Sequence, residues 1–338
     1  MEHILNVASF FSGCGGFDLG FKEAGYNIVL ANDIWPIAAA SYHKNFPETE
    51  FILKNIKNLT KQEIFETLRK RGLTKIDVVI GGPPCQCFTR LNNNNLKRDD
   101  QRNQLFKQYI RVVKLLNPDF VVMENVSDLL VRKNVKGQYF KDLILQAFKR
   151  AGYKVAYKVF EAEKYGVPQR RKRVIFIATN KKNMEITWPP ENKLISTVGP
   201  FLNKLKEYKS LTNNQVTINE KATLTRIKHI PPGGYYENLP KHLKVKKVRN
   251  GKLVTVKRYG SYYRRLDNNQ PSVTITANYF IHPDEDRYLT NREMATIHTF
   301  PHNFTFEGGL GAVSQQIANA VPPELAKRIG LQIKQWLN

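Results

Sequence analysis

Ile4-Leu5-Asn6-Val7-Ala8-Ser9-Phe10-Phe11, then Ser12-Gly13-Cys14-Gly15-Gly16, then a helical stretch from Asp18 to Ala24, is the run that decides the fold. It reads as a β-strand, a glycine turn and a helix. In α/β folds that succession brings backbone close to a nucleotide-like ligand at the carboxyl edge of the sheet. A second β-rich run, Asn27 to Ala31, leads to Asp33, eighteen residues past Gly15. An acid there typically accepts hydrogen bonds from ribose hydroxyls. The spacing is not G-x-G-x-x-G, which favours an adenosyl ligand without phosphates over a dinucleotide. Taken alone, a glycine turn also serves plain strand–helix packing.

Outward from this run the alternation continues. Further strands are expected at Phe51 to Leu53, Ile76 to Ile80, Phe120 to Met123, Lys154 to Phe160 and Val174 to Ala178, with helices over Lys61 to Arg71, Asn103 to Leu116 and Gln138 to Ala151. This is the pattern of a parallel sheet with helices on both faces. Phe140, Leu143, Ile144, Ala147 and Phe148 share one helical face, and Gly152 ends that helix. After Thr179 the rhythm stops, and Pro189-Pro190, Asn213-Asn214, Pro231-Pro232-Gly233-Gly234 and Asn250-Gly251 mark turns. Order returns with the capping box Thr290-x-x-Glu293 and a final amphipathic helix, Glu324 to Leu337.

Of the 338 residues, 53 are Lys or Arg and 29 are Asp or Glu, a net charge of +24. Half of that excess lies in 45 residues, Lys221 to Arg265, with 13 Lys and Arg against the single acid Glu237. Short lysine runs are usually solvated surface. Here Tyr235, Tyr236, Tyr259, Tyr262 and Tyr263 are interleaved, adding stacking groups to charge, which points to nucleic acid. An apolar fraction of 41% excludes intrinsic disorder, and no apolar run approaches the ~20 residues of a membrane span. No secretory signal is read at the start, and three cysteines suit a reducing compartment better than a disulfide scaffold. A cytoplasmic location is expected.

Three constellations carry chemistry. Gly81-Gly82-Pro83-Pro84-Cys85-Gln86 follows an apolar strand, and two prolines hold Cys85 stiffly at the sheet's carboxyl edge. Cys85 is the candidate nucleophile, provided its thiol pKa is lowered. Cys14 and Cys87 read as small apolar fillers; Cys-x-Cys without histidine lacks zinc spacing, and no metal is expected. Glu124 ends another buried strand, where a carboxyl with a raised pKa can donate a proton near neutrality. In Gln169-Arg170-Arg171-Lys172-Arg173, strand alternation puts Gln169, Arg171 and Arg173 on one side. That pair of guanidiniums suits a ring carbonyl or a phosphate.

Together these blocks resemble the DNA (cytosine-5)-methyltransferases of bacterial restriction-modification systems. The matching runs are Phe10 to Gly16, Gly82 to Gln86, Glu124-Asn125-Val126, Gln169-x-Arg171-x-Arg173, Arg265 to Ala277, and Asn319-Ala320-Val321-Pro322-Pro323, in the family's order. The resemblance implies a Rossmann-like α/β methyltransferase sheet with a smaller, irregular target-recognition domain. The catalytic and donor-binding part would be residues 1–183 with 310–338, and the small domain 184–309, its variable segment about 184–263.

The resemblance also implies roles. Cys85 attacks carbon 6 of a flipped-out cytosine, making carbon 5 nucleophilic. Glu124 bonds ring nitrogen 3 and the amine, Arg171 the carbonyl at position 2, and Arg173 supports the carboxylate. The methyl donor is S-adenosylmethionine, met by Phe11, Gly13, Gly15 and Gly16, by Asp33 at the ribose, by Ile34, Asn55 and Ile56 around adenine, and by Pro83 and Asn319 at the methionine end. Double-stranded DNA is the partner, gripped by Lys221 to Arg265 and by a loop from Cys87 to Arg102, and a monomer is expected. Two positions depart from the family: Asn55 where Asp is usual, and Ala318 where Gly is usual. A tRNA methyltransferase of the same fold shares the run Cys87-Phe88-Thr89, but this chain has no later cysteine for that branch's second Cys-Phe-Thr block. A catalytically inactive DNA-binding module would need none of Cys85, Glu124, Arg171 and Arg173.

Overall fold

The computed structural model describes residues 4–84, 104–217, 219–249, 252–256 and 263–337. Cys85, Cys87 and the loop to Arg102 therefore lie outside the described residues, as do Tyr259 and Tyr262.

The first half alternates as expected: β1 (Asn6–Phe10), α1 (Gly16–Glu23), β2 (Asn27–Asp33), α2 (Pro36–Asn45), β3 (Glu50–Leu53), α3 (Lys61–Lys70), β4 (Val78–Gly81), α4 (Leu105–Leu116), β5 (Phe120–Val126), α5 (Phe140–Arg150) and β6 (Lys154–Glu161). A two-residue β7 (Gln169–Arg170) precedes β8 (Lys172–Thr179). Seven strands form one sheet in the order β3-β2-β1-β4-β5-β8-β6. β1 pairs in parallel with β2 and β4, β2 with β3, and β4 with β5.

The sheet departs from the all-parallel expectation at β8, which runs antiparallel to both β5 and β6. A parallel return needs a crossover of about a dozen residues or more, usually a helix. Between Glu161 and Lys172 the chain makes only a 3-10 turn, Ala162–Tyr165, and the short β7, so it doubles back beside β6.

β1 and β4 are buried throughout, as continuous apolar strands covered on both faces should be. On one face Ile64, Phe106, Ile110, Val113, Ile144 and Phe148 pack down from α3, α4 and α5. On the other lie Phe17 and Phe21 of α1, with Leu325, Ile329 and Ile333 of α10 (Pro323–Leu337). The C-terminal helix thus seals the sheet beside the first helix. Gly20 permits that approach, because a Cβ there would stand 2.4 Å from Ala326 Cβ.

The second half holds α6 (Val198–Leu205), α7 (Lys221–Lys228), a hairpin of β9 (Lys246–Arg249) and β10 (Lys252–Thr255), β11 (Ser272–Val273), α8 (Asn291–Ile297) and α9 (Leu310–Asn319). The capping box before α8 is formed, with Thr290 Oγ1 accepting from Glu293 N. A third apolar cluster joins Tyr42 of α2 and Phe46 just after it to Val198, Leu202, Met294, Val313 and Ile317. Helices α2, α6, α7 and α9 were not anticipated. The buried side of α2 is Ala38, Ala39, Ser41 and Tyr42, and that of α9 includes Ser314 and Gln316, so neither shows a clear apolar stripe.

Inside the basic stretch a fourth cluster gathers Ile227, Ile230, Tyr236, Leu239, Tyr263, Ile281 and Tyr288. Two of the interleaved tyrosines, Tyr236 and Tyr263, are therefore core rather than stacking platforms. Arg265 is likewise buried. Its guanidinium donates to the carbonyls of Ile227, Ile230, His282 and Glu285 and to Asp286 Oδ1, so it braces the fold instead of meeting phosphate. Among the described residues no helix is long and apolar enough to cross a membrane.

Candidate active site

At the end of β1 the chain turns through Phe11 at φ 59 and Gly13 at φ 55, the left-handed region that a bulky residue adopts only under constraint. Asp33, the last residue of β2, supplies that constraint. Its Oδ2 accepts from Gly13 N at 2.8 Å, and its Oδ1 from Ile34 N at 2.6 Å and Trp35 N at 3.0 Å. The turn is packed on one side and open on the other. A Cβ on Gly15 would strike the Phe46 ring at 2.4 Å, and one on Gly16 the Val321 carbonyl at 2.6 Å, whereas one on Gly13 would meet nothing within 4 Å.

That open side has free space beside Gly13. Ile34 stands 62% exposed beside it. The contact of Gly16 with Ala320 and Val321 brings exposed Asn319 to the same edge. Asn55 Oδ1 accepts from Lys57 N at 3.0 Å, capping a short 3-10 turn, so that oxygen keeps one lone pair for a ligand. Ile56 is buried in the core, and its carbonyl accepts from Arg111 Nη2.

Beneath the turn lies an acid that sequence reasoning missed. Asp18, fully buried, accepts from Tyr42 hydroxyl at 2.7 Å and from Ser9 Oγ at 3.0 Å, and Ser9 Oγ accepts from Ser12 Oγ. Burial lifts its carboxyl to about 6. Burial likewise pushes the Cys14 thiol up to about 12, which suits an apolar filler and not a nucleophile.

The second constellation forms at the end of β5. Glu124 Oε1 lies 2.8 Å from Arg173 Nε, and both side chains are 13% exposed. Antiparallel pairing sets Arg173 opposite Val126, placing it diagonally from Glu124 on one face. Burial pushes the Glu124 carboxyl up, against the pull of Arg173 and Arg171. Gly82 lies close by, since a Cβ there would come 3.2 Å from Glu124 Oε2. Asn125 Nδ2 donates to the Pro83 carbonyl at 2.9 Å, tying the Glu-Asn pair to the buried proline two residues before Cys85.

The alternation of Gln169, Arg171 and Arg173 is realised, with Arg170 and Lys172 exposed. Arg173 meets the Glu124 carboxylate, as the resemblance implied, whereas Arg171 has backbone partners. Arg171, 1% exposed, donates through Nη2 to the Ala318 and Ala320 carbonyls at 2.8 and 3.0 Å and through Nη1 to Ile275 O. Its Nε has no acceptor among the described residues. His298, missed in the sequence because it lies 129 residues away on another element, completes this brace. Its Nε2 donates to Ala320 O, so Nδ1 accepts from Gln169 Nε2, while Gln169 Oε1 accepts from Ile275 N. Burial, with Arg171 nearby, holds the imidazole far below its usual pKa and therefore neutral. Arg171 thus clamps the segments around residues 275 and 318–320 to the sheet, and Arg173 is the guanidinium at the carboxylate.

The family model for C-5 cytosine-specific DNA methylases matches residues 5–335. The chain belongs to this family. Among curated proteins, this methylase is 36% identical to the type II methyltransferase M1.HphI of Haemophilus parahaemolyticus, covering 96% of this chain and 85% of that one. It is 32% identical to M.DdeI of Desulfomicrobium norvegicum, covering 98% and 89%. Among solved structures, a DNA modification methyltransferase encoded in an Escherichia coli prophage aligns with TM-score 0.78 at 25% identity, covering 99% of both chains. DNMT2 of Spodoptera frugiperda aligns over 99% of this chain and 100% of its own, at TM-score 0.66 and 19% identity, and shares the fold. The methylase is an enzyme, a DNA (cytosine-5)-methyltransferase.

Proposed function

We propose that this methyltransferase modifies carbon 5 of a cytosine within a specific duplex sequence, as the modification partner of a restriction system. The observation that carries the reading is the Glu124 carboxyl, raised by burial, paired with Arg173, and tied through Asn125 to the backbone that leads into Cys85. A base stacked in a duplex cannot reach such a recess, so the target is flipped out. Cys85 adds to carbon 6, and carbon 5 then becomes nucleophilic. Glu124 holds a proton toward ring nitrogen 3 and stabilises the charge that develops there. Arg173 Nη2, with no acceptor among the described residues, is the donor for the ring carbonyl, and Arg171 positions the strand from which it projects.

Phe11, Gly13, Asp33, Ile34 and Asn319 suit S-adenosylmethionine, with Gly15 and Gly16 packing the turn that faces it and Pro83 and Asn55 at its two ends. When bound it supplies an electrophilic methyl group on a sulfonium, so no metal is needed. The lysines of the β9–β10 hairpin and α7 serve the duplex, within a small domain spanning 184–309 of a monomeric enzyme. The high identity to type II methyltransferases over nearly the whole chain supports the restriction-modification role.

Bisulfite sequencing of DNA from a methylation-free host expressing the gene tests this reading and reads out the recognition sequence. Modified cytosines should appear at one short motif. In vitro, a duplex carrying 5-fluorocytosine at that motif should trap a covalent adduct on Cys85, and Cys85→Ala should form none. Methylation by the Cys85→Ala protein, or an adduct mapped to Cys14 or Cys87, would overturn the assignment.

A further inference from the structure

The segment from Val131 to Tyr139 is closed by its own hydrogen bonds and stands largely exposed. It leaves β5 after the 3-10 turn Ser127–Val131, only a few residues past Glu124, and returns into α5. Leu129 and Phe140, both buried in the sheet's core, pin its two ends. Between them Lys133 bridges Tyr139 across an antiparallel pair, and Asn134 N donates to Gln138 O at 2.9 Å. Asn134 Oδ1 accepts from Lys136 N at 2.9 Å and Gln138 N at 3.0 Å, closing the tip, and Gly137 sits at φ 77.

What this hairpin presents is cationic. Arg132, Lys133, Lys136 and Lys141 fall within eleven residues that contain no acid. None of the four pairs with a carboxylate among the described residues. Lys133 and Lys141 instead lie 4.5 and 5.5 Å from the Tyr139 ring, which holds both ammonium groups in place. Val131 and Val135 are 72% and 53% exposed. A hairpin closed by its own hydrogen bonds, whose cations have no carboxylate partner among the described residues, loses little freedom when it meets an anion.

We propose that this hairpin is a phosphate-binding arm that grips duplex DNA flanking the recognition sequence. This rests on the DNA-methylating function above. A 3-10 turn rises about 2 Å per residue and a strand about 3.3 Å, so the arm begins within ~17 Å of chain from Glu124. At two phosphate charges per ~3.4 Å of duplex, that reach corresponds to about five base pairs, and the hairpin's own length extends it to about ten. The arm leaves from the same carboxyl edge of the sheet as Glu124, the side on which the target base must be held. Its contacts would be to phosphates, sequence-independent, and additional to those of the β9–β10 hairpin.

The triple variant Arg132→Ala, Lys133→Ala, Lys136→Ala tests the arm, with the single reversal Lys136→Glu at the tip as a milder check. Equilibrium DNA binding is measured against salt on two duplexes, one with about fifteen base pairs on each side of the recognition sequence and one with about three. Each lost phosphate contact lowers the log–log slope by ~0.9, so the triple variant should lose about 2–3 in slope on the long duplex and match the unaltered protein on the short one. An unchanged slope on the long duplex overturns the arm, as does an equal loss on both duplexes. A loss of DNA affinity without change of slope would point to a protein partner and likewise overturns it. Methyl transfer by the unaltered protein to the same duplexes is assayed in parallel. Its absence overturns the functional reading and the arm together, whereas methylation with an unchanged slope removes the arm alone. Equal thermal midpoints for all three proteins exclude unfolding as the cause.

Discussion

Arg171 at the sheet edge is 1% exposed and ends on three backbone carbonyls, while Lys246 and Lys247 of the β9–β10 hairpin stand in water without a carboxylate partner among the described residues. Both regions are strongly basic, and the charge serves different ends. A guanidinium out of water is tolerable only when fixed dipoles replace its hydration, so the carbonyls around 275 and 318–320 belong to the charge they surround. Among the described residues the lysines have no carboxylate to hold. Their charge is surplus to the fold and available to an external polyanion.

The sharpest way to break this contrast is Arg171→Met. Removing the guanidinium takes the donor from the Ile275 and Ala318 carbonyls, leaves Ala320 O only its bond from His298, and should cost about 3–5 kcal/mol in urea unfolding. A loss below about 1 kcal/mol would show that the brace does not hold the C-terminal segments. Comparable in size but read in catalysis is Glu124→Gln, which keeps the shape and removes the titratable proton. Turnover should fall about 10²–10³-fold with donor affinity retained, by analogy with loss of one transition-state donor. Unimpaired single-turnover methylation would remove Glu124 from the chemistry.

Asp18 is a buried charge of the other sign, held by Tyr42 and Ser9 with no cation in contact among the described residues and with Asp33 opposing its ionisation. Its carboxyl goes from 3.8 to about 6 on folding, so the native state binds more protons than the unfolded state between those values. Stability contributed by the protonated form is therefore lost as pH rises across about 4 to 6, and the cost of the buried carboxylate is fully present above that. Asp18→Asn should gain on the unaltered protein by up to about 3 kcal/mol between pH 4 and pH 7, the linkage value of ~2 pKa units. A stability difference independent of pH would show that Asp18 does not titrate there. The smallest effect on the fold is expected for Lys246→Ala with Lys247→Ala. Unfolding free energy should move by less than about 0.5 kcal/mol, while the salt slope of DNA binding falls by about 2. Destabilisation without a change in slope would erase the distinction between the two regions.

Much of the site was legible in the chain because short-range chemistry leaves short-range marks. The glycine turn after an apolar strand, Asp33 at the next strand's end, Glu124 after Phe120-Val121-Val122-Met123, and the alternation of Gln169, Arg171 and Arg173 all follow from local periodicity and turn geometry. The basic segment's charge is a matter of counting. These patterns determined an α/β sheet and pointed to a ligand at its carboxyl edge and to a nucleic-acid partner, since a strand's side-chain alternation and a glycine's freedom are properties of a few consecutive residues.

What only the tertiary structure decided concerns partners far apart in the sequence. The reversal of β8 comes from a connection too short to cross the sheet. Tyr236, Tyr263 and Arg265 look like surface residues in a basic run and are core, because Ile281 and Asp286 arrive from beyond that run to cover them beside Ile227. Which of Arg171 and Arg173 faces Glu124 was undecidable from alternation, which puts both on one side. It is settled by β5–β8 register and by the carbonyls of Ala318 and Ala320, nearly 150 residues away. Asp18, an ordinary helical acid in the sequence, becomes a buried one only when Tyr42 and Ser9 close over it. Burial and pairing are properties of the assembled core, and no window of neighbouring residues contains them.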